Sequence, residues 1–210
     1  MLDLGLVPYR EALVRQHELR ERRIADEIED TLIALEHPPV YTRGRRSEPG
    51  ELPFGRQWYA ERGIEIVDVE RGGKITYHGP GQLVIYPICR VTDVKDFVCT
   101  LEQAMVAALA AEGIDAHGRS TEGIEFTGAW VQDRKIGQIG LHFSRGVTTH
   151  GLSLNVDCDL EPFSWIVPCG LPDAQVTSVA RELGEGADVS LPRIRDAMLT
   201  TLKDGNPSGG

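Results

Sequence analysis

The sequence predicts an α+β domain, a mixed β-sheet flanked by helices. Helical and strand patterns run in the order helix, strands, helix, strands, helices, without the regular alternation of a parallel sheet. Hairpin signals are mixed with one crossover helix. No internal repeat or linker interrupts the 210 residues, a length that suits one well-buried core. The expected organisation is one domain over residues 1–202 and a flexible, glycine-rich tail over 203–210.

The elements follow in order. Tyr9 to Glu29 is rich in helix formers and highly charged, which reads as an exposed helix. Thr31–Glu36 is a short apolar run stopped by Pro38-Pro39, a buried strand, and Val40–Thr42 resumes it. Arg43 to Phe54 carries Pro49-Gly50 and Pro53 and reads as a loop. Gln57–Arg62 is a short helix and Ile64–Val69 an alternating strand. Lys74–His78 and Leu83–Ile88 are strands joined by a Gly-Pro-Gly turn. Asp96–Gly113 is the cleanest helix, with Phe97, Leu101, Met105, Ala108 and Leu109 on one face and Gly113 as its stop. Ala129–Val131, the Asp133-Arg134 turn and Lys135–Phe143 form a hairpin, and Thr148–Val156 is a further strand. Val176–Leu183 and Leu191–Leu202 are short helices.

Composition narrows the function classes. A net charge of −10 argues against general nucleic-acid binding, which needs a basic face for phosphates. No apolar run approaches the ~20 residues that span a bilayer. The first residues lack a basic, then apolar, export signal, so the cytoplasm is the expected compartment. Cys89, Cys99, Cys158 and Cys169 are too far apart for a zinc site, and a reducing compartment disfavours disulfides. No phosphate-binding Gly-x-x-x-x-Gly-Lys loop, dinucleotide fingerprint, Gly-x-Ser-x-Gly elbow or His-Glu-x-x-His is present. Chemistry without cofactor or metal is the simplest reading.

The densest segment is Arg71-Gly72-Gly73-Lys74-Ile75-Thr76-Tyr77-His78-Gly79-Pro80-Gly81-Gln82. Its glycines let backbone approach a ligand closely, or simply turn the chain. Among the cysteines, Cys169 stands out on a Pro168-Cys169-Gly170 turn, while the others read as core packing. A cysteine nucleophile needs a partner to become a thiolate at neutral pH. Lys135, at the head of an apolar strand, is one candidate, although its local pattern equally suits a turn lysine reaching water. His78 and His150, each before a glycine at a strand end, are others, and the residues alone leave Cys–Lys and Cys–His open.

These segments together resemble the bacterial lipoyl(octanoyl) transferases. The resemblance is carried by His37–Gly44, Arg71–Gln82, Lys135-Ile136 leading to Ile139-Gly140, Arg145–Asn155 and Pro168-Cys169-Gly170, in the family's order. It implies a fold similar to the catalytic domain of biotin and lipoate protein ligases. It implies transfer of an octanoyl group from the phosphopantetheine of acyl carrier protein, with no further cofactor. The acceptors would be lipoyl domains of 2-oxoacid dehydrogenase E2 subunits and the glycine cleavage H protein. By the family pattern, Cys169 is the acyl-thioester nucleophile and Lys135 lowers its pKa. Arg71, Gly72, Gly73, Lys74, Ile75, Thr76, Tyr77 and His78, with Gln138, Ile139, Gly140, Gly151, Leu152 and Ser153, match its substrate-binding segments. Gln138 departs from the small residue expected there. The rival readings are an ATP-dependent lipoate or biotin ligase, a lipoyl amidotransferase on the same fold, and an acyl-binding module.

Overall fold

The computed structural model describes residues 1–167 and 175–204. Cys169, the expected nucleophile, lies outside the described residues, as do positions 205–210 of the expected tail.

A large mixed sheet forms the body. Its strands are β1 (Leu2–Leu6), β2 (Thr31–Glu36), β6 (Gln82–Ile88), β7 (His117–Gly118), β8 (Gly128–Val131), β9 (Arg134–Ser144), β10 (Val147–Asn155) and β11 (Gln175–Val176). They are ordered β1-β2-β6-β10-β9-β8-β7, with β11 alongside β9. The β1–β2 and β9–β11 pairs are parallel and the rest antiparallel, which makes the sheet mixed as expected. A smaller sheet holds β3 (Val40–Arg43), β4 (Glu65–Asp68) and β5 (Ile75–His78) in the order β4-β3-β5. The consecutive strands β5 and β6 thus part company at Gly79-Pro80-Gly81 and enter different sheets.

Both faces of the large sheet are covered, and β6 shows why. All seven of its residues are buried, so it reads as a continuous apolar run. Leu83 and Ile85 face α3 (Val94–Ala111) and α5 (Leu191–Asp204), whereas Val84, Tyr86 and Ile88 face α1 (Tyr9–Ile24). A third core, around Tyr41, Tyr59, Ile75, Tyr77 and Phe163, supports the small sheet. The remaining helices among the described residues are α2 (Gly55–Ala60), α4 (Val179–Leu183) and a 3-10 turn over Glu161–Trp165.

Several boundaries differ from the sequence reading. Helix α1 stops at Ile24, where Ala25 caps it and Asp26 takes a φ of 55°. Helix α3 starts two residues early, because the Asp93 side chain accepts from the Lys95 and Asp96 backbone N–H groups. Helix α4 starts at Val179 rather than Val176, because Val176 belongs with Gln175 to a strand paired with Arg134–Lys135. Helix α5 runs through Lys203 to Asp204, two residues into the expected tail. The β9–β10 hairpin turns at Arg145-Gly146, with φ of 50° and 82°, the paired left-handed residues that a tight hairpin favours.

Candidate active site

The site grows from an interruption in the large sheet. The β6–β10 ladder runs from Gln82↔Asn155 to Ile85↔Leu152, breaks, and re-forms only beyond β6 at the Arg90↔Val147 bridge. Pro87 has no N–H to continue it. Opposite, His150 adopts a φ of 57°, and its backbone N–H turns instead to the Gln16 side-chain oxygen at 2.7 Å. Gly151 packs under the Ile85 carbonyl, where an added Cβ would sit 2.2 Å from that oxygen. The sheet opens there, and a cavity of about 870 Å³ lies over β9 and β10. That volume is within the range of small-molecule pockets.

The expected substrate-binding segments converge on this cavity. Arg71, Gly72, Gly73, Lys74, Ile75, Thr76 and His78 form one wall, and Gln138, Ile139, Gly140, Gly151, Leu152 and Ser153 form another. The Gly72 N–H donates to the Leu141 carbonyl at 2.8 Å, which lays the glycine loop across β9. Gly140 lies beneath it, where a Cβ would meet Arg71 Cδ at 3.0 Å and the Gly72 oxygen at 3.2 Å. Arg71 is buried and ties the loop to β3, donating from Nη2 to the Thr42 carbonyl at 2.6 Å and hydroxyl at 2.7 Å. Gln138, the departure from the family pattern, accepts from the hydroxyl of its register partner Ser153 at 2.8 Å.

Tyr77 does not join them. Strand alternation turns it to the opposite side of β5 from Thr76 and His78. Its ring packs 5.6 Å from Tyr41 and 5.5 Å from Phe163, in the core of the small sheet.

One end of the cavity is a buried ring cluster. Tyr9, His78, Tyr86 and His150 line it, with His37 behind. His37 Nδ1 donates to the Val7 carbonyl at 2.7 Å, leaving Nε2 to accept from the Tyr86 hydroxyl at 2.8 Å. The Tyr9 hydroxyl meets His150 Nδ1 at 3.2 Å. Gln82 donates to Asn155 Oδ1 at 2.8 Å, so its own oxygen accepts from His78 Nδ1 at 2.6 Å. Burial pushes His37 down to about 4 and His78 to about 3, and pushes His150 well below the usual histidine range. These rings are neutral at pH 7. Burial also pushes Tyr9 up to about 12, so its hydroxyl stays protonated.

Lys135 occupies the other end. It is 8% exposed, so it is no turn lysine reaching water. Its ammonium lies 5.1 Å from the Trp130 ring centroid and donates to the Glu125 carbonyl at 3.3 Å. A backbone thread joins the two ends. Asn155 donates to the Thr177 carbonyl at 2.9 Å, and the Thr177 N–H donates to the Lys135 carbonyl at 3.0 Å.

Of the three described cysteines, Cys89 and Cys158 are buried, and burial raises both thiols, Cys158 to about 12, which suits inert packing. Cys99 is half-buried and reaches the cavity wall, which its helical pattern did not reveal. The sequence reading also missed Tyr9, Tyr86 and the wall supplied by Ser120, Thr121, Ile124, Glu125 and Thr127.

Comparison with known proteins decides the family. Residues 8–203 match the model of the lipoyl protein ligase A/B catalytic domain. The chain belongs to this family. Its relatives include the octanoyltransferase of Acidothermus cellulolyticus, 46% identical over 95% of this chain and 88% of that protein. That of Mycobacterium avium is 47% identical over 96% and 82%, and that of Corynebacterium diphtheriae 39% identical over 96% and 80%. Octanoyl transfer, an acyltransferase activity of protein lipoylation, is the function these relatives support. Among solved structures, lipoate-protein ligase A bound with ATP superposes with a TM-score of 0.74 at 18% identity, covering 97% of this chain and 83% of that one. A bipartite lipoate protein ligase from Thermoplasma acidophilum, studied with its E2 lipoyl domain, gives 0.72 at 19% identity, covering 97% and 82%. At such identities these two structures establish the shared ligase-like fold.

Proposed function

We propose that the protein transfers an octanoyl group from acyl carrier protein to a lysine of lipoyl domains through a thioester on Cys169. The observation that carries this reading is Lys135, buried at one end of a largely apolar cavity. The Cys169 thiolate attacks the carbonyl of the donor thioester and expels the phosphopantetheine thiol, exchanging one thioester for another. The amine of the target lysine then attacks the acyl-enzyme, an amide forms, and the Cys169 sulfur leaves. Lys135, as an ammonium, stabilises the thiolate and gives its proton to the departing phosphopantetheine sulfur, and the neutral amine it becomes takes the target amine's proton in the second step. Neither step needs ATP, a metal or another cofactor.

The cavity suits the acyl chain. Lys135 and Leu141 both line it, six residues apart on β9, a run of about 20 Å at strand spacing. Burying the seven methyl and methylene groups of the chain is worth about 0.8 kcal/mol each, enough to select for length. The acceptors in this reading are E2 subunits of 2-oxoacid dehydrogenases and the glycine cleavage H protein, in the cytoplasm. Among the described residues no helix is long and apolar enough to cross a membrane.

Donor docking must overcome a net charge of −10, since carriers of this class are acidic. Arg45 and Arg46 are exposed beside the glycine loop, and Arg46 lines the cavity. Arg43 pairs with Asp68 at 3.0 Å, which leaves the docking role to the other two. Transfer assayed with octanoyl-carrier and a lipoyl-domain acceptor, with and without ATP, tests the reading. Product without ATP is expected, and strict ATP dependence with free octanoate would establish a ligase instead.

A further inference from the structure

One buried charge beside the cavity has no part in the steps above. Glu102 on α3 is 6% exposed, one turn beyond the cavity-lining Val98 and Cys99. Its carboxylate accepts three hydrogen bonds from one connecting segment. Oε1 takes the Ser120 N–H at 3.0 Å and the Gly128 N–H at 2.8 Å, and Oε2 takes the Ser120 hydroxyl at 2.5 Å. The chain is shaped to admit this carboxylate, for a Cβ on Gly118 would lie 2.6 Å from Oε2.

The segment gripped at both ends, from Ser120 to Gly128, joins β7 to β8 and touches Lys135 twice. Its Glu125 carbonyl receives the Lys135 ammonium at 3.3 Å. Gly128 lies against the lysine stem, where a Cβ would sit 3.1 Å from Lys135 Cε and 2.2 Å from the Gly137 carbonyl oxygen. The head and stem of the lysine are therefore both held by a segment whose two ends hang on one side chain. A buried carboxylate that accepts three donors is well satisfied, and it fixes whatever carries those donors.

We propose that Glu102 is a positioning residue for acyl transfer, a clamp that holds the 120–128 segment so that Lys135 stays at its reacting position. The proposal rests on the Lys135 reading above. It makes the placing of Lys135 depend on a side chain of α3.

The conservative substitution separates geometry from mere burial. In Glu102→Gln, the amide oxygen still accepts both N–H groups and the amide nitrogen donates to Ser120 Oγ. Glu102→Ala removes all three bonds. Single-turnover transfer of octanoyl to a lipoyl domain is expected to fall about 100-fold in Glu102→Ala, the scale of an ångström-level misplacement, and to stay within about threefold of wild type in Glu102→Gln. Amide hydrogen exchange across 119–128 should rise in the first variant and not in the second. Ser120→Ala, which removes one bond, should slow transfer about fivefold with the same local rise in exchange, and it decides the matter if Glu102→Ala does not fold. Glu102→Ala turning over within twofold of wild type while Lys135→Ala is dead would overturn the clamp alone. An unchanged rate and unchanged exchange in Ser120→Ala would do the same. Full activity in Lys135→Ala would instead overturn the Lys135 reading, and the clamp with it.

Discussion

The two ends of the cavity are built on opposite principles. Around Tyr9, His37, His78, Tyr86 and His150, five titratable rings pack together and burial holds them neutral, with Arg71 donating to Thr42. Around Lys135, a single ammonium sits between an indole ring and a carbonyl, under a connection clamped by a carboxylate. The first end is ordered by burial, and its groups have little proton traffic to offer at pH 7. The second holds the one lysine lining the cavity that is also buried. Damage to the first should register in stability, and damage to the second in turnover.

Lys135→Ala should separate the ends most sharply. Single-turnover transfer is expected to drop about 10³-fold, as for removal of a general acid–base group, while the melting temperature stays near wild type. A large stability loss instead would make Lys135 part of the scaffold. Gly151→Ala tests the other end. Its new methyl group would press on the Ile85 carbonyl, so chemical denaturation should show a loss of about 3 kcal/mol, the upper end of overpacking costs. A neutral result would mean that the sheet opening is loosely packed.

Acid should also act on the ring end. His37 and His78 have folded pKa values of about 4 and about 3, below the unfolded value near 6.5. The unfolded chain therefore binds more protons in this range. Their contribution is full above pH 6.5 and is lost as pH falls towards 4 for His37 and towards 3 for His78, by about 1.4 kcal/mol per pH unit for each ring. Urea unfolding between pH 7 and 5 checks this, and flat stability over that range would show that the folded rings titrate as they do in the unfolded chain. The smallest effect is expected from Tyr77→Phe, within twofold of wild-type transfer, because Tyr77 faces Tyr41 and Phe163 rather than the cavity. A tenfold loss would return Tyr77 to the substrate wall.

Much of this arrangement was legible in the sequence, for identifiable reasons. Strand β2, buried β6 and helix α3 announce themselves by apolar run or period, and the Arg71–His78 glycines by composition. Strand β1 was missed because Leu2–Leu6 carries a glycine and finds its partner thirty residues away in β2. The division of β5 from β6 between two sheets is a long-range choice that neighbouring strands do not reveal. Period-two alternation within β5 could have set Tyr77 apart from Thr76 and His78. Glu102 gave no local signal at all, because a glutamate beside Leu101 in a helix is ordinary until the connection it holds is seen above it.

The division between scaffold and chemistry is tested most directly by mass spectrometry after brief incubation with octanoyl-carrier and no acceptor. The expected result is a gain of about 126 Da mapped to Cys169 in the wild-type protein, lost on adding a lipoyl domain, and absent in Lys135→Ala. Rapid transfer with no adduct on Cys169, or an adduct that forms equally fast without Lys135, would contradict it.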